Sequence, residues 1–153
     1  MGVGDRDEVI YNTLSGELVR YASALVGPDD GPDLLSAVIT RVLSKRCLSD
    51  LDNPRMYLFR AIANEARSHK RRHAKRQVVR LDVPSTVTPV QVDTALDAVM
   101  DLPTQQRSAT YLVYWLGYTP TEAAEAIGCR PGTVRRSLHL ARSKLKEVLD
   151  APQ

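Results

Sequence analysis

Apolar residues fall into helical periods along most of the chain. Leu14, Leu18, Val19, Ala22 and Leu25 recur three and four positions apart, which predicts a helix that Gly27-Pro28 stops. A second helix follows Asp29-Asp30 and carries Leu34, Leu35, Val38, Ile39, Val42 and Leu43. Ser49-Asp50-Leu51-Asp52-Asn53-Pro54 is dense in turn formers and reads as a loop. A third helix then runs from about Arg55 to about Arg76. Its first half holds Tyr57, Leu58, Ala61, Ile62 and Glu65. Its second half is almost wholly polar and basic, so that half is expected to project from the packed part or to lie on a ligand.

The period lapses over residues 81–90, where two prolines and several β-branched residues read as a linker. A boundary there leaves two parts, each small enough to be marginal alone, expected as compact three- or four-helix units. The second part opens with a helix near Asp93–Met100, broken at Leu102-Pro103. Thr104 is placed to cap the next helix, with Arg107 three residues on; Ala109, Leu112, Val113 and Leu116 form its apolar face, and Gly117 closes it. No hairpin signal and no internal repeat is evident. The fold class expected is all-α: two small helical domains, 8–80 and 93–150, joined by a flexible linker at 81–92.

The strongest local pattern begins at Thr119. Thr119 caps a short helix with Pro120 at its first position and Glu122 in its first turn. Ala123, Ala124 and Ile127 face inward, and Gly128 supplies the left-handed turn that ends the helix. A further helix from about Pro131 turns Val134, Leu138, Ala141 and Leu145 inward. This is a helix-turn-helix, whose second helix enters the major groove of DNA. Arg130, Thr133, Arg135, Arg136 and His139 are left facing out, and they are residue types that read base edges or hold phosphates. A plain pair of antiparallel helices would not require that outward pattern.

Charge sharpens the picture. The net +3 conceals a run from 67 to 80 with seven basic and no acidic residues, and another from 130 to 146 with six basic and none acidic. The segments before each run are net acidic. Such segregation points to a polyanionic partner rather than to solubility alone. At 153 residues and 43% hydrophobic, the chain can fill a core; no apolar stretch nears the roughly 20 residues that span a bilayer, and no secretory signal is visible. Cys47 and Cys129 match neither a disulfide framework nor a zinc pattern and suit a reducing cytoplasm. His69 and His73 share a helical face but lack a third ligand, so no metal and no cofactor is expected. No Ser/His/Asp set, phosphate-cradling glycine loop or paired carboxylates point to an enzyme. Tyr111, Tyr114, Trp115 and Tyr118 are expected to pack the helix-turn-helix core, and Cys129 to be a small buried residue rather than a redox sensor.

Several segments resemble region 4 of bacterial RNA polymerase sigma factors of the small extracytoplasmic-function type. They are Asp101-Leu102-Pro103-Thr104-Gln105-Gln106-Arg107, Glu122-Ala123-Ala124-Glu125-Ala126-Ile127-Gly128 and Gly132-Thr133-Val134-Arg135-Arg136-Ser137-Leu138. In the first half, Tyr57-Leu58-Phe59-Arg60-Ala61-Ile62-Ala63-Asn64 and the basic residues after it are similar to the family's region 2 helix. Asp30, Asp33, Leu34 and Leu35 resemble the start of the helix that docks on the polymerase clamp. Ser36-Ala37 stands where the family usually carries Gln-Glu, and Tyr57 where Trp is commoner.

The resemblance implies a subunit that joins polymerase core through its clamp and flap and directs initiation at chosen promoters. Region 4 would read the minus-35 element through Arg130, Thr133, Arg135, Arg136 and His139. Region 2 would trap the melted minus-10 strand through Tyr57, Asn64, Arg67, Lys70, Arg71 and Arg72, with Asp30, Asp33, Leu34 and Leu35 touching core. Phe59 lies about 200° from Tyr57 around the helix, so Tyr57 rather than Phe59 is expected to face DNA. An anti-sigma factor is a further implied partner, and the expected location is cytoplasmic, without membrane insertion. The alternatives are a stand-alone helix-turn-helix regulator and a sigma-derived protein-binding regulator.

Overall fold

The computed structural model describes residues 2–79 and 98–150, with side chains except at 73–79 and 149. Among these residues the fold is all helical. Three helices make up the first part: α1 (Val3–Val26), α2 (Gly31–Leu43) and α3 (Pro54–Val79), with a 3₁₀ turn at Leu48–Asp50 between the last two. The second part holds α4 (Thr104–Thr110), a π-helical segment (Tyr111–Trp115), α5 (Pro120–Ile127) and α6 (Pro131–Asp150). The linker expected at 81–92 lies outside the described residues. So do the first turns of the helix expected near Asp93–Met100, of which residues 98–100 are seen to be helical.

The apolar periods become one core. Leu18, Tyr21, Ala22 and Leu25 of α1 meet Leu34, Leu35, Val38 and Val42 of α2 and Leu58, Phe59, Ile62 and Ala66 of α3. α1 ends at Gly27, whose φ of 97° lets its N–H donate to Ser23 O at 2.8 Å. α2 starts against the backbone of α1: a Cβ on Gly31 would lie 2.7 Å from Ser23 Cα and 2.8 Å from its backbone N. Only glycine permits that approach. Asn53 Oδ1 accepts from Met56 N at 3.1 Å and opens α3, behind Pro54.

The same core continues into the second part. Ala109, Leu112, Tyr118, Ala123, Ala124, Ala126, Ile127, Val134 and Leu138 belong to it. Between the two parts runs an aromatic seam: Tyr21 packs on Phe59 with centroids 4.6 Å apart and on Tyr111 at 5.8 Å, and Phe59 meets Tyr118 at 6.3 Å. The Tyr21 hydroxyl and Ser108 Oγ share a buried hydrogen bond across it, and burial pushes the Tyr21 phenol well up. Arg55, held by Glu17 (Nε to Oε2 2.9 Å), stacks over Phe59 at 5.6 Å and Tyr118 at 5.2 Å. The two halves are thus packed on each other rather than separately solvated.

Local expectations are corrected at Thr104 and at Tyr114 and Trp115. Thr104 is the first helical residue and makes no cap hydrogen bond; it is buried behind Pro103. Arg107, standing where a capping box would carry Glu or Gln, is 7% exposed and donates to Leu25 O of α1, to Met100 O and to Leu102 O, the last at 2.9 Å. The helix that follows shifts to π geometry at Tyr111, which turns Tyr114 and Trp115 outward at 57% and 76% exposure. Tyr118 is buried and Tyr111 half-buried as expected, but Tyr114 and Trp115 do not pack a core.

Candidate nucleic-acid interface

The helix-turn-helix forms from the residues that encode it. Thr119 Oγ1 accepts from Glu122 N at 3.2 Å, and Pro120 begins α5. Gly128 takes φ 86° and ψ 39° and closes α5 with its N–H on Ala124 O at 2.8 Å. Ala123, Ala124, Ala126 and Ile127 on α5, with Val134, Leu138 and Ala141 on α6, are buried and fix the pose of α6. Their burial leaves Arg130, Thr133, Arg135, Arg136 and His139 all exposed around the first turns of α6. Cations and a hydroxyl at the positive end of a helix suit a duplex backbone with base edges beyond it.

The second surface lies on α3. Tyr57, Asn64 and Arg71 recur every seven residues, so they share one face, and all three are exposed. Phe59 is fully buried, as the helical angle predicted. Arg46, from the loop after α2, sits 5.3 Å over the Tyr57 ring. Sequence spacing gave no signal for that contact, because Arg46 comes from another element. Arg72 donates to Glu65 Oε1 at 2.8 Å, and Glu65 also accepts from Arg41 at 2.6 Å. Burial pushes the Glu65 carboxyl up, but the hydrogen bonds and charges of Arg41 and Arg72 outweigh it and hold it below the ordinary range.

The basic side chains of α3 do not all project. Arg60 Nη2 donates to Glu125 O at 3.0 Å and Arg67 Nη2 to Ile127 O at 3.3 Å. Both guanidinium groups therefore cap the carboxyl end of α5, where free carbonyls and the helix dipole favour cations. Arg60, one turn from both Tyr57 and Asn64, was absent from the residues expected to bind. Arg67 is half-buried at this contact, whereas Lys70, Arg71 and Arg72 stay exposed. His69 Nε2 lies 3.4 Å from Asp30 Oδ2. The side chain of His73 lies outside the described residues.

On α2, Leu34 and Leu35 are 5% and 3% exposed and belong to the core, so they present nothing to a partner in this arrangement. Asp30 is half-buried against His69, and Asp33 is exposed. The outward face of α2 consists instead of Asp33, Ser36, Ala37 and Thr40, at helical spacing. Cys129 is half-buried beside the core, and burial pushes its thiol up against the pull of Arg67, which disfavours a reactive thiolate. Among the described residues no helix is long and apolar enough to cross a membrane.

Residues 93–145 match the family model described as sigma-70, region 4. The chain is 30% identical over 151 residues to the RNA polymerase sigma-E factor of Streptomyces antibioticus, covering 94% of this chain and 84% of that one. It is 27% identical over 153 residues to the ECF RNA polymerase sigma factor SigL of Mycobacterium tuberculosis, covering 92% and 86%. Among solved structures it resembles the sigma factor RpoE of Bartonella quintana, in complex with the anti-sigma factor NepR. The TM-score there is 0.70 at 23% identity, covering 95% of this chain and 98% of that one. It also resembles CnrH in complex with the cytosolic domain of CnrY, with a TM-score of 0.64 at 23% identity, covering 96% and 89%.

Proposed function

This chain belongs to the RNA polymerase sigma factors of the extracytoplasmic-function group, and from that premise we propose how its surfaces divide the work. It binds polymerase core and directs initiation at promoters that it selects. Residues 93–150 act as region 4, with α6 in the major groove of the minus-35 element. Arg135 and Arg136 pair with guanine edges or phosphates; Arg130, Thr133 and His139 complete the contact surface. Residues 8–80 act as region 2. Tyr57 stacks against an unpaired minus-10 base, Asn64 hydrogen-bonds its edge, and Lys70, Arg71 and Arg72 follow the phosphates. The outward face of α2, from Asp33 to Thr40, meets the clamp. The chain acts by binding rather than catalysis, in the cytoplasm, and an anti-sigma factor is its third kind of partner.

One observation carries this reading. A single chain exposes both a duplex-reading helix-turn-helix and an aromatic-basic face of the kind that holds single strands. A stand-alone duplex reader needs only the first.

The packed arrangement adds a requirement. The two promoter elements are named for positions 25 base pairs apart, about 85 Å at 3.4 Å per base pair. A compact chain of this length is only about 40 Å across. The halves must therefore separate before both elements are engaged, and Arg67 must leave Ile127 O before it can meet a phosphate. Run-off transcription by purified core, with and without this chain, tests the function. Transcripts that appear only with the chain, from a defined set of templates, are the expected result. Core-independent duplex binding without any transcript would favour the stand-alone regulator.

A further inference from the structure

Away from the promoter-reading faces, the chain carries an apolar trough with aromatic walls. Two adjoining cavities of 330 and 390 Å³ share Ala24, Met100, Tyr111 and Trp115 as walls, and Tyr114 borders the first. Tyr111 and Trp115 stack with centroids 6.2 Å apart and planes 12° from parallel. The space is at the small end of the range that holds small molecules, which begins at roughly 300 Å³. Among the described residues no Asp or Glu lines either cavity; the charged side chains there are Arg20 and Arg107.

Arg107 supplies a second, independent observation. It is 7% exposed, and its two Nη groups are spent on the carbonyls of Leu25, Met100 and Leu102. Its Nε is buried too and has no hydrogen-bond partner among the described residues. Buried donors are nearly always paired, so a lone one in the wall of a cavity marks a place for an acceptor.

The charges around it set the sign of that acceptor. Met100 and Arg107 also line a cavity of 220 Å³ together with Lys70, His69 and Asp30. Burial and the charges of Arg107 and Lys144 hold the Lys70 ammonium below its ordinary range, so three cations lie within one another's field. Asp30, which faces His69, and Asp101 are the carboxylates nearby. An anionic oxygen at Nε satisfies the donor and relieves the repulsion.

The apolar lining decides what the anion is attached to. A nucleotide would bury the donors and acceptors of its base against walls that offer Thr110 as a hydroxyl, and that hydroxyl already donates to Gln106 O. A hydrocarbon ring leaves nothing unpaired and meets Tyr111, Tyr114 and Trp115 as fellow aromatics. We propose that the trough is a binding site for a small planar aromatic carboxylic acid, its rings against Tyr111 and Trp115 and its carboxylate accepting from Arg107 Nε.

The probe is 2-naphthoate, titrated into the full chain by calorimetry and by two-dimensional amide NMR. The chain has one tryptophan, so a single indole N–H signal reports on the trough. One naphthoate per chain should bind, and the Trp115 indole signal should move with saturation. 2-Naphthamide keeps the rings and loses the charge, whereas octanoate keeps the charge and loses the rings. Each should bind more weakly by about tenfold or more. Ala24→Leu, which fills the trough, and Trp115→Ala, which removes a wall, should weaken naphthoate by about the same factor, both read by calorimetry. The Trp115 side chain is largely in solvent, so its removal leaves the fold intact. The absence of saturable binding would overturn the proposal, as would an indole signal that stays in place at saturation. So would amide or octanoate binding as tight as that of naphthoate, or affinity indifferent to both variants.

Discussion

Replacing Arg107 by methionine tests whether the halves are joined as described. The guanidinium donates to three backbone carbonyls, one at the end of α1 and two in the turn before α4, from a nearly buried position. Burial lowers the Arg107 pKa, a sign that its charge is partly desolvated, although it remains protonated at any working pH. Methionine keeps a similar volume and removes every donor. Each carbonyl left dry costs about 1–3 kcal/mol, while relief from burying a charge offsets part of the sum. A net loss of about 3 kcal/mol follows. With a urea slope of about 2 kcal/mol per molar, the unfolding midpoint should fall by about 1.5 M. Arg107→Lys keeps the charge but not the fork, and should fall between the two. A shift below about 0.5 M for the methionine variant would mean that water already serves these carbonyls, and the seam would lose its principal polar tie.

Other consequences are open to equally direct tests. Arg135→Ala should weaken minus-35 binding by about 1–3 kcal/mol and relax base preference there, read by competition between altered duplexes. Arg71→Ala should weaken binding to all sequences alike and make the slope of log affinity against log salt shallower by about one. Gly31→Ala should lower stability by about 1–3 kcal/mol in urea unfolding, because its Cβ meets the backbone of Ser23. Glu65 titrates lower in the folded chain than its ordinary 4.5, so the stability it lends is present above that value and lost as pH falls through its folded pKa. Unfolding midpoints measured from pH 6 down to pH 3 should show this loss, and Glu65→Gln should lack that part of it.

The sequence revealed most where local physics decides the outcome. Thr119, Pro120 and Gly128 specify the ends of α5 through their own side chains and backbone freedom, and the structure places them as spacing required. Helical angle alone separated Tyr57 from Phe59. Legibility failed where contacts join distant segments. Leu34 and Leu35 resemble part of a docking helix, but their side chains complete the core under α1 and α3. Arg67 opens a basic run that reads as solvated or DNA-bound, and Arg60 lies two turns before it; only the fold brings the end of α5 within their reach. Tyr114 and Trp115 sit among apolar neighbours in sequence, yet the π segment rotates them outward, and no periodicity signals such a shift. Arg107 is the converse case: a charge in a helix-start position that the fold buries for the sake of three carbonyls.

The proposed function requires the two promoter readers to lie folded together in the free chain and to separate on polymerase. Spin labels at Asp52→Cys and Ser143→Cys, both exposed, measure it directly in a chain with Cys47 and Cys129 replaced by alanine. One narrow, short distance is expected in the free chain, and a distance tens of ångströms longer once core is bound. The same distance in both states, or a broad spread in the free chain, would contradict it.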